Sequence, residues 1–468
     1  MKRFRRVLPL LLLALLVWPS NPSEAAPAAA PTTAPSSSDA AFQHYSETGH
    51  NVGFVIKRFY DAHGGSDVFG LPLTEAFKDS ATGLTVQYFE KVRIEIRDEV
   101  AEGAQLTPLG RSFSEGRSDE AFQPVFGSPS SDILYFPESM HTLGGAFRWF
   151  WESHGGLPTF GYPLSEEFVE FDPSSNENVL VQYFERARFE YRPGNEPYNV
   201  VLSNLGWLSL HERPDAAALS TPVSAIVLLG EATTGFPASA AEREHNIKRA
   251  ADLLDGVMVP AGVEFSFNSI SDFSEADGFV DGYGIVGDRL ERVLAGGLCQ
   301  VSTTLFRAVS NAGLQITMRQ GHSRIVNFYE NILGFDATVF TPDIDFRFRN
   351  DTAAPIYITT LTDTRAATVN FKIWGVSDGR TVSYRGPVTR NWVEPGPPVW
   401  AYDPSLPPGK VKQLVHGRRG VTVNYYRTVT MPDGSIRHND NYYTRYLPWA
   451  DFYAYGKGVK PPAGVIVR

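Results

Sequence analysis

Hydrophobic and polar positions follow different periods in different parts of the chain. Val7–Trp18 is apolar throughout apart from Pro9, behind a basic start at Lys2, Arg3, Arg5 and Arg6. The small residues of Ser23-Glu24-Ala25-Ala26 follow it. This order predicts a secretory signal peptide over 1–26, cut near Ala25 or Ala26. The alternative is a retained anchor, but the run falls short of the roughly 20 residues a spanning helix needs. No later apolar stretch is long enough to span. Pro27–Asp39 is almost wholly Ala, Pro, Ser and Thr, which cannot bury enough apolar surface to fold. It predicts a disordered spacer over 27–43.

A duplicated pattern comes next. His63-Gly-Gly-Ser-Asp-Val-Phe-Gly-Leu-Pro-Leu-Thr-Glu75 returns as His154-Gly-Gly-Leu-Pro-Thr-Phe-Gly-Tyr-Pro-Leu-Ser-Glu166. Val86-Gln-Tyr-Phe-Glu-Lys-Val-Arg-Ile-Glu95 returns as Val181-Gln-Tyr-Phe-Glu-Arg-Ala-Arg-Phe-Glu190, and each copy ends at a Leu-Gly pair, Leu109-Gly110 and Leu205-Gly206. Ala146–His154 fits a short helix stopped by glycine. Val181–Glu190 partly alternates and suits a strand. Two small α+β modules are therefore expected, over 44–120 and 121–214. Their aromatics suit either sugar rings or a small core. His63 and His154 are expected to cap helix ends. Through Phe69-Gly70-Leu71-Pro72 and Phe160-Gly161-Tyr162-Pro163 the copies resemble the Leu-Gly-Phe-Pro repeats of exported wall proteins, with the order altered.

From Arg243 the period changes to that of a helix. Ile247, Ala250, Ala251 and Leu254 share one face, and a second helix is expected over Gln300–Ala312, with Val301, Leu305, Ala308 and Val309 on one side. Between and after them stand, in order, Val259-Pro-Ala-Gly-Val-Glu-Phe-Ser-Phe-Asn268, Ala295-Gly-Gly-Leu-Cys-Gln-Val-Ser302, Gly321-His-Ser323, Phe335-Asp-Ala-Thr-Val339 and Asp345-Phe-Arg-Phe-Arg-Asn350. This series resembles the VanW family, over Arg243–Thr360 and about a quarter of the chain. Ala295 and Leu298 depart mildly from the family's Gly-Gly-Gly-Ile-Cys-Gln-Val-Ser core. The family's name comes from glycopeptide-resistance gene clusters, so the resemblance implies a role in the cell envelope. The domain is expected over 215–375.

The chain has one cysteine, Cys299, at the predicted start of a helix. There the free backbone N–H groups and the helix dipole favour a thiolate. His322 follows after a strand-like Leu314–Met318 and would share the thiol proton. Asn327 or Asp336 would orient the imidazole, and Gln300 or nearby backbone N–H groups would stabilise an oxyanion. The competing reading makes Cys299 a small buried apolar residue. Glu264 would line the same cleft or face solvent on a strand. Arg319 and Arg324 bracket His322; in a pocket they suit a carboxylate or phosphate, and otherwise they are surface charges. His322 has no companion at metal-ligand spacing, so neither a metal nor a cofactor is expected.

The C-terminal stretch, 376–468, alternates like a strand over Val421–Thr430 and turns at Pro432-Asp433-Gly434-Ser435, which predicts a hairpin. The order of Pro408-Gly409, His416-Gly417, Gly420, Gly434 and Gly456-Lys457-Gly458 resembles the β module named for its five glycines, which implies wall or amino-sugar binding. The formal net charge of −10 and the scattered basic residues argue against nucleic acid. The expectation is a secreted, multi-domain α+β protein associated with the cell wall. Two functions remain open: a binding or scaffold protein on peptidoglycan or a related glycan, and a thiol enzyme acting on a wall peptide or precursor.

Overall fold

The computed structural model describes residues 41–468, apart from 128–129, 173–174, 287–288 and 330. The signal segment and most of the spacer lie outside the described residues. The first strand, Phe42–Tyr45, includes the last two residues assigned to the spacer, because they pair with Val52 and Gly53. The architecture is α+β and multi-domain.

Each repeat begins with a hairpin and a helix. His50–Gly53 leads into Phe54–Ala62, and His141–Gly144 leads into Gly145–Ser153. His63 and His154 stand at the two helix ends, and each Nδ1 meets a last-turn carbonyl, of Phe59 and Phe150, at 2.8 Å. A four-stranded antiparallel sheet follows in both copies. Here one expectation needs correcting. Val86–Glu95 and Val181–Glu190 are hairpins, not single strands: Thr85–Tyr88 pairs with Arg93–Ile96, and Glu177–Tyr183 with Arg188–Tyr191. The chain reverses because Phe89 and Val92, and likewise Phe184 and Ala187, all turn inward to the core. The duplicated Gln staples each hairpin to its neighbours. Gln87 Nε2 donates to Asn51 O (2.8 Å) and Thr74 O (2.7 Å), and Gln182 Nε2 donates to Thr142 O (2.7 Å) and Ser165 O (2.8 Å).

The two copies are interlocked. One apolar core runs from Tyr45 to Leu202 across both. The closing helix of each copy packs on the other. Arg111 N donates to Glu185 O (2.9 Å), and Trp207 N donates to Glu90 O (2.8 Å). Phe147, Phe150 and Trp151 lie in this core, whereas Trp149 is 63% exposed.

The central region is built on a four-stranded antiparallel sheet in the order Ile226–Gly235, Thr368–Val376, Ile356–Asp363, Met258–Val259. The helices Ala241–Leu254 and Leu298–Asn311 share its core through Ile247, Leu254, Val301, Leu305, Ile358, Phe371 and Ile373. Phe54 of the first repeat stacks on Tyr357 of this sheet at 5.3 Å.

In the C-terminal region, Gly420–Thr430 pairs with Ile436–Tyr446 as the expected hairpin, and Thr381–Val393 adds a third strand. Every second residue from Val421 to Val429 is buried. Arg427, fully buried, sits on that inner face. It pairs with Asp440 (2.7 Å) and donates to the carbonyls of Ser310 (3.2 Å) and Leu314 (2.9 Å), just at the end of the second central helix. A cation there is favoured by the negative end of the helix dipole.

Candidate thiol site

The turn before the cysteine helix is backbone-demanding. Ala295 has φ 59°, and Gly297, at the helix N-cap, has φ 126°. Glycine reaches that conformation without a Cβ clash. The chain then enters the helix with Cys299 in its first turn. The polar residues after it do not face water. Ser302 Oγ donates to Ala337 O (2.8 Å), as does Thr303 Oγ1 (3.0 Å), and Ala337 N donates back to Thr303 (3.1 Å). This clamps the segment Asp336–Val339 onto the helix start. Thr338 Oγ1 then lies 3.3 Å from Cys299 Sγ, and Val339 O at 3.5 Å.

The same clamp brings up Asp336. Its Oδ2 takes His322 Nδ1 at 2.5 Å and the His322 backbone N–H at 3.0 Å. Its Oδ1 takes Arg319 Nη2 at 3.1 Å and the Tyr446 hydroxyl at 2.7 Å. The His322 ring lies close enough to Cys299 to act on its thiol. With Nδ1 committed to Asp336, Nε2 is the ring nitrogen left to address the sulfur. His322 and Asp336 are buried and Cys299 is partly buried.

Electrostatics follow from this order. Burial pushes the Cys299 thiol up, but the hydrogen bond and charge of His322, helped by Thr338 and Val339 O, outweigh it and bring the thiol down to about 7. Burial likewise disfavours the charged imidazole. The bonds to Asp336 and Cys299 overcome that and hold His322 up at about 9. For Asp336, His322, Arg319 and Tyr446 outweigh burial and keep the carboxyl well below its usual range. Near neutral pH these shifts favour a thiolate beside an imidazolium, with the Asp336 carboxylate on the far side of the ring. A nucleophile beside a base that a third group orients can carry out acyl transfer.

The other candidates fall elsewhere. Asn327 is exposed on a short helical turn, so of the two orienting residues considered it is Asp336 that holds the ring. The Gln300 side chain faces inward, accepting from Arg243 (2.9 Å) and donating to Thr234 (2.5 Å) and Gly235 O (3.2 Å). Those bonds brace the helix rather than address the sulfur. Glu264 lies on a strand beside Arg347 (3.9 Å). Arg319 is neither a surface charge nor a ligand arm. It is buried against Asp336, Gly334 O (2.9 Å) and the Phe306 ring (5.4 Å). Arg324 lies over Trp449 at 4.4 Å. Two contributors went unread in the sequence. Thr338 had a signal, standing two residues after Asp336 in the same motif. Tyr446 had none, because it arrives from the C-terminal hairpin.

A cleft of ≈ 860 Å³ opens between the central sheet and the C-terminal region, with Thr234, Asn327, Phe328, His416, Arg418 and Trp449 in its walls. Cys299 is not among its lining residues, and Gln300, bonded to Thr234, is the link between cleft and helix. Among the described residues no three His, Cys, Asp or Glu side chains could hold a metal ion together. No described helix is long and apolar enough to cross a membrane.

The fold and site define an α+β protein in which Cys299, His322 and Asp336 come together at a helix start. Residues 242–374 match the family described as VanW like protein, so this segment is similar to a VanW domain and is called VanW-like. It is 40% identical over 131 residues to the uncharacterized protein YoaR of Bacillus subtilis, covering 28% of this chain and 43% of that one. It is 34% identical over 125 residues to the vancomycin B-type resistance protein VanW of Enterococcus faecalis, covering 25% and 45%. The chain thus matches less than half the length of these relatives. It is also similar to two solved G5 domains. One is HP0197-G5 (27% identity, 16% of this chain, 97% of that chain, TM-score 0.09), and the other is the IgA1 protease G5 domain (15%, 18%, 96%, 0.11).

Proposed function

We propose that this chain is an envelope protein whose VanW-like domain performs thiol chemistry on an amide or ester of a wall peptide or precursor. The supporting observation is His322 held between Cys299 and Asp336, with the sulfur at the positive end of a helix. In that reaction the Cys299 thiolate attacks the carbonyl carbon and forms a thioester. The C–N or C–O bond breaks, and the imidazolium proton of His322 passes to the leaving group. Water or an amine then adds to the thioester, His322 takes its proton, and the thiolate is released.

The test is the rate of Cys299 alkylation in the folded mature protein against pH, with His322→Ala alongside. A half-maximum near pH 7, moved upward by His322→Ala, supports an activated thiolate, since an unperturbed thiol titrates near 8.5. Reaction only after unfolding sinks the proposal. A Cys299 adduct found by mass spectrometry after exposure to wall peptide fragments would identify the acyl group.

Export and wall association complete the proposal. The mature chain begins after cleavage near Ala25 or Ala26, and the flanking modules hold the domain against peptidoglycan or a related glycan. The cleft beside the C-terminal region, with Trp449, Asn327 and Arg418 in its walls, favours a binding role as the second reading. Co-sedimentation of the mature chain with purified peptidoglycan checks it, and a chain that stays in the supernatant overturns the glycan assignment.

A further inference from the structure

The carboxylate of the thiol site has four donors, and one comes from outside the VanW-like domain. Tyr446 stands on the last long strand of the C-terminal hairpin, in register with Val421. Its ring is buried in a small cluster with Val421, Val423, Ile325 and Leu333. Its hydroxyl donates to Asp336 Oδ1 (2.7 Å) and accepts the Gly334 backbone N–H (3.0 Å). It therefore fixes both the carboxylate and the chain leading to it. The same hairpin reaches the site twice more. Arg319, the other donor to Oδ1, gives Nη1 to Tyr443 O (3.3 Å), and Arg427 holds the far end of the cysteine helix at Ser310 and Leu314.

We propose that Tyr446 is a positioning residue of the thiol site, so that the C-terminal module completes the site as well as flanking it. This rests on the thiol reading above. The physical argument is angular. Asp336 Oδ2 must point at His322 Nδ1 to keep Nε2 on the sulfur. A carboxylate pinned through Oδ1 by Tyr446 and Arg319 cannot rotate away from that direction. The charged and titratable groups facing the relay are Cys299 from the helix, Arg319 from the end of the adjacent strand, and Tyr446 from the C-terminal hairpin, with Tyr442 against Arg319. Without the Tyr446 hydroxyl, Asp336 loses one of its two Oδ1 anchors, the bond to His322 loosens, and the thiolate loses its partner.

The experiment uses the full mature chain and its Tyr446→Phe variant, with Tyr426→Phe as a control tyrosine from the same hairpin. The pH midpoint of Cys299 alkylation and the melting temperature are measured for each. Tyr446→Phe is expected to raise the midpoint by about half a pH unit or more, about a twofold or greater loss of rate at pH 7, while Tyr426→Phe leaves it in place. An unmoved or lowered midpoint in a folded Tyr446→Phe variant overturns the proposal. Should that variant not fold, 3-fluorotyrosine at position 446 keeps the ring and strengthens the donor. The low-field Nδ1 proton signal of His322 is then expected to shift, and a signal that does not respond overturns the proposal. If the unaltered protein shows an ordinary thiol indifferent to His322→Ala, the thiol reading itself fails. If it shows an activated thiol that ignores position 446, only this inference fails.

Discussion

At the scale of single residues, the sulfur and imidazole shift in opposite directions, and the consequence for stability is unusual. His322, held at about 9 against an ordinary 6.5, contributes stability that is full below pH 6.5 and lost as pH rises through 9. Cys299, brought to about 7 from 9.0, contributes stability that is present above 9.0 and lost as pH falls through 7. Summed, the folded and unfolded chains each release one proton near pH 6.5 to 7 and another near 9, so the pair adds almost no pH dependence. Denaturation midpoints of the native chain are therefore expected to change little from pH 6 to 9, although alkylation changes steeply over the same range, whereas Cys299→Ser leaves the His322 contribution uncompensated and is expected to lose stability as pH rises across it. Asp336→Asn is a different matter. It leaves Arg319 buried without its counter-charge, and breaking such a pair costs about 3–5 kcal/mol. Urea unfolding is expected to show that loss, and the alkylation midpoint is expected to rise to about 8.5 or beyond. Cys299 and His322 were legible in the sequence as candidates, with Asp336 as one of two orienting residues, because short motifs carry them in order. Choosing Asp336 over Asn327 was not, since the choice depends on Ala337 being clamped to Ser302 and Thr303.

At the scale of elements, helices were read more securely than hairpins. The helix over Ala241–Leu254 announced itself by its apolar spacing, and the aromatic-rich one over Gly145–Ser153 by the glycine after it. The repeat hairpins were missed because Phe89-Glu90-Lys91-Val92 contains no Gly, Pro, Asn or Asp. Its turn is enforced by burial of Phe89 and Val92 instead. The Leu-Gly pairs looked like the ends of their own repeats. In fact Gly206 lets its helix approach the backbone of the first repeat, where an added Cβ would run into Phe89 O, and Gly110 does the same at Phe184 O. Gly206→Ala is expected to cost about 3 kcal/mol or more, as overpacking against rigid backbone does. A lowered melting temperature with an unchanged Cys299 alkylation midpoint would show the damage confined to the repeats.

At the scale of the whole molecule, ionic contacts tie the C-terminal module to the VanW-like domain. Asp351 takes Arg380 (2.9 Å), Arg437 (3.0 Å) and His438 (2.8 Å). Burial disfavours its charge, but His438, Arg380 and Arg437 outweigh that and hold the carboxyl well below its usual range. Its contribution is therefore present above about pH 4 and lost as pH falls below that. Asp351→Asn is expected to lower stability at pH 7 and to flatten the acid limb of the stability curve between about pH 4 and 2. An acid limb identical to that of the native chain would show that the contact contributes nothing.

Local sequence carries the α+β class, the duplication, the two central helices, the C-terminal hairpin, and Cys299 and His322 as a candidate pair. Those features rest on local period, on turn chemistry and on short ordered motifs, all of which are properties of neighbouring residues. Only the tertiary structure decided that the two repeats interlock, that Gln300 and Arg319 serve the interior, and that Tyr446 reaches Asp336. Those outcomes depend on contacts between residues far apart in the chain. Such contacts are selected by which buried polar groups find partners once the sheets and helices have packed.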